Sequence, residues 1–258
     1  MIIATFNVNS VRAHIQNILD WIDEFSPDVI LMQEIKCETD VFPYMEFEDK
    51  GYNVKAFGQK SYNGVAILSR FSIEDVTTGL PTFPSDTSAR YIEAIIDGHI
   101  RIASIYAPNG NPVPSEKFEY KKEWMEHFIE HIKSLMNNDE ELIIGGDFNV
   151  ALTDREIYNP KAFEDDAITQ PESREGMKKL FDLGLIDSYR IFNPDNDKAY
   201  SYFGYRGGCF QKGYGILLDY FLINEKAKSI ITNAGIDTSP RGREKPSDHT
   251  PLWIEVKG

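Results

Sequence analysis

The sequence predicts an α/β protein in which two packed β-sheets carry helices on their outer faces. Two observations predict it. Short apolar runs rich in Ile and Val alternate with longer segments of helical periodicity along the whole chain. In both halves the apolar runs end on polar residues: Asn7 after Ile2 to Phe6, Gln33 and Glu34 after Val29 to Met32, Asp147 after Leu142 to Ile144. No low-complexity linker or short-period repeat divides the 258 residues, so one domain, 1–258, is expected.

The elements follow in order. Ile2 to Phe6 reads as a buried strand that ends at Asn7-Val8-Asn9-Ser10. Ile15, Ile18, Leu19, Ile22 and Phe25 recur at helical spacing, and Ser26-Pro27 stops that helix. Val29 to Met32 is the next strand, and Asn53 to Phe57 with Gly64 to Ser69 form a pair. Tyr91 to Ile96 and His99 to Ile105 flank Asp97-Gly98, a strong hairpin signal, and the second of them runs into the rigid turn Tyr106-Ala107-Pro108-Asn109-Gly110. A long helix is expected from Glu116 to Met136, with Met125, Phe128, Ile129, Ile132 and Met136 on its buried face. His127 to His131 fits the H-x-x-E-H pattern of one metalloprotease group. Both histidines fall opposite that apolar stripe, so a solvated face is expected instead of a metal site.

Asp154 to Pro171 is polar and long enough to be a functional loop. A short helix follows from Glu172 to Leu183, with Gly184 in position to cap it. Tyr200 to Tyr205 reads as an aromatic strand, and Gly215 to Ile223 as an apolar strand interrupted by Asp219. A charge inside that run demands a partner. The last strand is Leu252 to Val256, preceded by Lys245-Pro246-Ser247-Asp248-His249-Thr250-Pro251.

Composition narrows the function less than the motifs do. A hydrophobic content of 41% supports a sizeable core and excludes a disordered chain. No apolar run approaches a membrane span, and the first residues begin a strand rather than a basic leader. Cys37 and Cys209 form neither a disulfide framework nor a metal spacing, so reduced thiols in a cytoplasmic protein are expected. The net charge of −14 runs against the basic footprint usual in nucleic-acid binders. Its distribution matters more than its sum. Tyr202 to Gly213 carries Arg206 and Lys212 with no acid, and Arg241, Arg243 and Lys245 cluster against one Glu244, so a bipolar surface is expected.

The stretch Leu-Ile-Ile-Gly-Gly-Asp-Phe-Asn-Val, ending at Val150, holds the densest chemistry. Its two glycines free the backbone to turn and allow a close approach. If strand geometry persists, Asp147 and Asn149 point to one side. A carboxylate beside an amide suits a metal-bound phosphate: one polarises a water, the other donates to an anionic oxygen. A polar turn after a buried strand is the structural alternative.

Seven motifs, in chain order, complete the pattern: F-N-V-N-S-V-R-A with Asn7 and Asn9, Q-E-I-K from Gln33, G-V-A-I-L-S from Gly64, Y-A-P-N-G from Tyr106, G-D-F-N from Gly146, L-D-Y from Leu218, and E-K-P-S-D-H from Glu244. Together they resemble the exonuclease III family of apurinic/apyrimidinic endonucleases, over essentially the whole chain. The resemblance implies a four-layered α/β sandwich of two mixed β-sheets flanked by helices. It implies an Mg²⁺-dependent phosphodiesterase, with Mn²⁺ as a substitute ion, acting as a monomer on double-stranded DNA with abasic sites or blocked 3′ ends. Family members cut 5′ to an abasic site, and many are also 3′→5′ exonucleases. Glu34 would hold the metal with Asn7, Asn9 and Asp248 near it, and Asp147 and Asn149 at its edge. Asp147 would orient or deprotonate the attacking water, and Asn149 would donate to the oxyanion. His249 would contact the phosphate or act as acid and base, with Asp219 holding its ring. Tyr106 would sit at the phosphate as nucleophile, acid or donor. Asn109 would hold a phosphate oxygen, Tyr202 and Phe203 would line the pocket for an extruded abasic sugar, and Arg206 would contact DNA.

Two other functions compete. A phosphatase of the same superfamily, acting on a small acidic or inositol-phosphate substrate, fits the net charge better; Lys36, Y-A-P-N-G and E-K-P-S-D-H weigh against it. A catalytically inactive nucleic-acid-binding protein is the other, kept open by Leu217, which stands where the family usually has arginine. A secreted nuclease would be expected to show a leader and a disulfide.

Overall fold

The computed structural model describes residues 1–257. In chain order its elements are β1 (Ile2–Asn7), α1 (Ile15–Phe25), β2 (Val29–Gln33), α2 (Tyr44–Glu48), β3 (Asn53–Phe57), β4 (Val65–Ser69), β5 (Ile73–Thr78), β6 (Tyr91–Ile96), β7 (Ile100–Tyr106) and α3 (Glu116–Leu135). They continue with β8 (Glu141–Asp147), α4 (Pro171–Asp182), β9 (Ile186–Asp187), α5 (Ser188–Phe192), α6 (Cys209–Lys212), β10 (Asp219–Ile223), α7 (Glu225–Lys228), β11 (Ile231–Ile236) and β12 (Leu252–Val256). Two six-stranded sheets result, in the orders β11-β12-β1-β2-β4-β3 and β5-β6-β7-β8-β10-β9.

Both sheets are mixed. β1 runs parallel to β2 and β7 parallel to β8, and the other pairs are antiparallel. A parallel pair needs a crossover, which α1 and α3 supply. The sheets face each other through one core, in which Leu31, Val65 and Ile67 of the first meet Ile102, Ile143 and Phe221 of the second. α1 seats Ile18, Trp21 and Ile22 on the outer face of the first sheet, against Phe6, Ile30 and Leu68. α3 and α4 pack on the second. Helix, sheet, sheet and helix make the four layers that the motifs implied.

The glycines of β8 do not turn the chain; the strand runs on to Asp147. Their close approach is to the protein itself. A Cβ on Gly145 would stand 2.7 Å from Leu31 Cδ1 across the sheet interface, and one on Gly146 would stand 2.1 Å from the Ile105 carbonyl oxygen.

Several expectations need correction. The buried stripe of α3 runs through Phe118, Lys121, Trp124, Met125, Phe128, His131 and Ile132, rotated from the purely apolar stripe. His131 therefore lies inside, its Nε2 3.2 Å from Glu93 Oε2 and its ring edge-on to Tyr91. His127 is half-buried and stacks on Phe83 at 4.2 Å. Each imidazole is placed by an aromatic neighbour, and neither belongs to the one metal-capable cluster among the described residues. Tyr200 to Tyr205 is not a strand; Tyr202 alone makes isolated bridges, to Ile216 and His249. β10 begins at Asp219, so that carboxylate opens the strand instead of interrupting it. β5, β9 and β11 carried no strand signal, being respectively exposed and bulged, two residues long, and polar in the middle.

Leu217 packs in the main core at 1% exposure, and its N–H donates to the Glu156 carbonyl. Its neighbours Ile216 and Leu218 face the cleft described below. Leucine is thus a core residue at the position where the family usually has arginine. Leu217→Arg is expected to lower the melting temperature and leave the slope of log K against log salt for DNA unchanged. A slope steeper by about one unit would show that the new arginine reaches a phosphate.

Candidate active site

Parallel pairing brings the ends of β1, β2, β7 and β8 to one rim of the sandwich. β10 and β12, antiparallel to their neighbours, start at that rim. Asn7, Glu34, Tyr106, Asp147, Asp219 and the Asp248-His249 pair therefore converge, and Asp219 lies directly opposite Asp147 in the β8–β10 register. The loops leaving these strands are strained. Asn9, Glu34, Lys36 and Asn149 all have φ between 45° and 51°, a region that non-glycine residues keep only where surroundings enforce it.

The buried amide of Asn7 spans two carboxylates, donating to Glu34 Oε1 at 2.9 Å and to Asp147 Oδ2 at 3.0 Å. Lys36 Nζ reaches Glu34 Oε2 at 2.8 Å and Asn9 Oδ1 at 2.5 Å. Asn9 in turn donates to Asp248 Oδ1 and to the Tyr205 hydroxyl, each at 2.9 Å. Asp147 Oδ1 accepts the Asn149 backbone N–H at 2.9 Å, so a turn and not strand alternation relates the two residues. The Asn149 amide donates to the Ala107 carbonyl and accepts from Asn109. His249 Nδ1 lies 2.8 Å from Asp219 Oδ2, and its Nε2 lies 3.7 Å from Asp147 Oδ2. Asp219 Oδ1 is buried without a partner. The Tyr202 ring stands edge-on to His249 at 5.1 Å.

Burial opposes charge on His249, but Asp219, Asp147 and Asp248 outweigh it and lift its pKa from 6.5 to about 10. These acids favour the protonated ring, with Nδ1 directed at Asp219. Asp147 is pushed well above the usual carboxylate range by burial; His249 pulls it back, and Asp219 and Glu34 push it further. Burial also opposes ionisation of Glu34, yet hydrogen bonds from Lys36 and Asn7 hold it below its ordinary value. Tyr106 is raised well above 10.0 by burial and by Glu34 and Asp147, so it is a phenol at neutral pH. Burial lowers Lys121 to about 7.

These groups line a cleft of ≈ 300 Å³. Glu34, Tyr106, Asn109, Asp147, Asn149, Tyr202, Asp248 and His249 face it, while Asn7 and Asp219 stand behind as hydrogen-bond partners and Asn9 lies at its edge. Phe203 and Arg206 do not line the cleft. Phe203 is buried against Tyr200 and Phe210, and Arg206 is exposed on the next turn. Alternation along an extended chain explains the first: if Tyr202 faces the cleft, Phe203 faces away. Sequence reasoning missed Asn111 and Asp166, which join across the cleft mouth at 3.0 Å, and the apolar wall of Phe163, Ile168, Ile216 and Leu218. It also missed Arg90, whose guanidinium lies 5.0 Å from the Tyr106 ring centre. Two members of the basic cluster near the C-terminus are used structurally: Arg241 donates to the Phe203 carbonyl, and Arg243 pairs with Glu24, while Lys245 is exposed.

The donor chemistry fits a hard divalent ion. Ligand atoms of Glu34, Asp147 and His249 all lie within 4.8 Å of one another, and two of the three are carboxylates. Carboxylate oxygens are the ligands that Mg²⁺ and similar ions prefer.

A two-sheet sandwich with an acid-rich, histidine-bearing cleft at its rim has the form of an endonuclease/exonuclease/phosphatase hydrolase, and that family's model matches residues 4–249, from β1 to His249. The exodeoxyribonuclease III of Haemophilus influenzae is 32% identical, with 98% of each chain covered. The DNA repair nuclease APEX1 of Danio rerio is 30% identical over 98% of this chain and 81% of its own. Among solved structures, a Neisseria 3′ phosphatase bound to a product DNA hairpin superposes with a TM-score of 0.96 at 34% identity, and an AP endonuclease from Archaeoglobus fulgidus with 0.95 at 34%; both are covered fully, as is this chain. Within that class, the chain belongs to the exonuclease III family of DNA-repair nucleases.

Proposed function

We propose that this nuclease cuts duplex DNA on the 5′ side of abasic sites, leaves a 3′-hydroxyl, and also processes 3′ ends, clearing blocked termini in the 3′→5′ direction. The cleft carries this reading. Its charged end, Glu34, Asp147 and His249, suits a phosphodiester, and the adjoining wall of Tyr202, Phe163, Ile168, Ile216 and Leu218 suits a sugar that has lost its base. The Neisseria and Archaeoglobus relatives support the two halves of the activity.

Asp147, with its raised pKa, is suited to orient a water and take its proton. The His249 imidazolium, fixed by Asp219, lies where negative charge builds on the phosphate. Tyr106, kept as a phenol, donates a hydrogen bond instead of attacking. Asn109 and Asn149 supply amides to phosphate oxygens. Glu34 and Asp147 would hold the proposed Mg²⁺, or Mn²⁺ in its place, with Asn7 and Asn9 fixing them and Asp248 and Asn149 flanking. The ion supplies charge neutralisation to the phosphate. A monomer in a reducing compartment such as the cytoplasm fits the two free thiols.

The test is a duplex carrying one abasic site, incubated with Mg²⁺, with chelator, and with Mg²⁺ restored. Cleavage is expected only with free metal, giving a 3′ end that a polymerase extends. Intact abasic DNA together with hydrolysis of an inositol phosphate would favour the phosphatase alternative instead.

A further inference from the structure

Behind the cleft is a buried lysine to which the scheme above gives no task. Lys121, in the second turn of α3, is only 2% exposed. A buried ammonium is costly unless its hydrogens are used. Lys121 makes no ion pair within 4.0 Å among the described residues; its Nζ donates to two backbone carbonyls, Asn149 at 2.6 Å and Asn109 at 3.2 Å. Those carbonyls belong to the two loops whose asparagine amides face the cleft. The same loops are joined above by Asn109 Nδ2 donating to Asn149 Oδ1 at 3.3 Å. The lysine stem lies directly under the first loop: a Cβ on Gly110 would stand 2.7 Å from Lys121 Cδ.

We propose that Lys121 is a positioning residue for phosphodiester cleavage, clamping the Asn109 and Asn149 loops from beneath so that both amides meet the phosphate at a fixed separation. The loops are tied at the cleft side by Asn109 on Asn149 and by Asn149 on the Ala107 carbonyl, and Lys121 ties their backbones from the opposite side. Asn149 is in the left-handed region, at φ 51°, and the peptide beyond it turns into the irregular 151–170 segment. A hydrophobic side chain at position 121 would fill the same space in α3, but it would leave two carbonyls unbonded and the loops joined only at the cleft side. The proposal rests on the functional reading above for the roles of the two amides.

The wild-type reaction on abasic duplex tests that reading; a double-mutant cycle tests this one. Lys121→Met keeps the stem and removes the donors. Alone, it is expected to lower kcat by about 10-fold or more with KM changed less than about 2-fold, since a small misplacement of positioned groups costs rate before binding. Asn149→Ala keeps the carbonyl but lacks the amide. In that background, Lys121→Met is expected to cost less than about 3-fold more, because residues acting as one unit are not additive. Lys121→Gln, a neutral donor, is expected to retain part of kcat and carries the same cycle if the methionine variant does not fold. Wild-type kcat in Lys121→Met, or equal losses in the two backgrounds, would overturn the proposal and leave Lys121 as a structural partner of two carbonyls.

Discussion

Asp147→Asn is expected to lower turnover on abasic duplex by at least about 10²-fold, the usual cost of removing one positioned proton-transfer group. The carboxylate does three things that an amide cannot do together. It accepts from Asn7 Nδ2, it accepts from the Asn149 N–H, and it can take a proton from water. An asparagine that keeps the Asn149 contact through its oxygen turns an NH₂ group toward the Asn7 donor. Stability should not fall in step. The folded state holds the Asp147 pKa above its ordinary 3.8, so it binds more protons than the unfolded chain from about that value up to the raised one. At higher pH the ionised, buried carboxylate costs stability, and the neutral amide does not. At pH 8 the variant should melt no lower than the wild type, as expected where activity is bought with a destabilised site. Single-turnover cleavage and thermal melts at that pH check both parts. Near-normal turnover with a lower melting temperature would make Asp147 a structural residue.

What the sequence made legible was the apolar run that ends on a polar residue. Asn7 and Asp147 each close a strand and Glu34 follows one directly, and two parallel pairs are enough to bring such ends together. Asp219 was legible for a different reason: an acid in a fully apolar run must have a partner, and His249 is that partner. Residues that function through burial were not legible. His131 was read as solvent-facing because polar side chains on a helix usually are, and nothing in the sequence singled out Lys121; only the packed structure shows the carbonyls and the Glu93 carboxylate that satisfy them. Arg241 and Arg243 illustrate the reverse error. They were read as surface charge, yet one bonds the chain leaving Tyr202-Phe203 and the other fastens α1 to the C-terminal loop. Net charge could not locate the DNA path, because it does not record which cations are already used.

Asp219→Asn is expected to be the second large loss, about 10²-fold in kcat near neutral pH, with a change in pH profile that identifies its cause. The Asp219 carboxylate accepts a hydrogen bond from His249 Nδ1 and is the first of the acids that lift the imidazole to about 10 against the opposing effect of burial. An amide there carries no charge and can itself donate toward Nδ1, which favours the wrong tautomer. The sign for stability follows from the raised pKa. A histidine whose folded pKa exceeds 6.5 contributes stability that is fully present below that value and is lost as pH rises through about 10. The wild type should therefore lose stability and activity together on the approach to pH 10, and the variant should show its decline at lower pH. Because His249 and Asp147 stand 3.7 Å apart, the values measured from rates belong to the pair. The comparison is accordingly the displacement of the alkaline limb between wild type and variant, read from kcat and melting temperature across pH 6 to 10. Coincident limbs with a uniformly lowered kcat would show that Asp219 orients the ring without setting its charge.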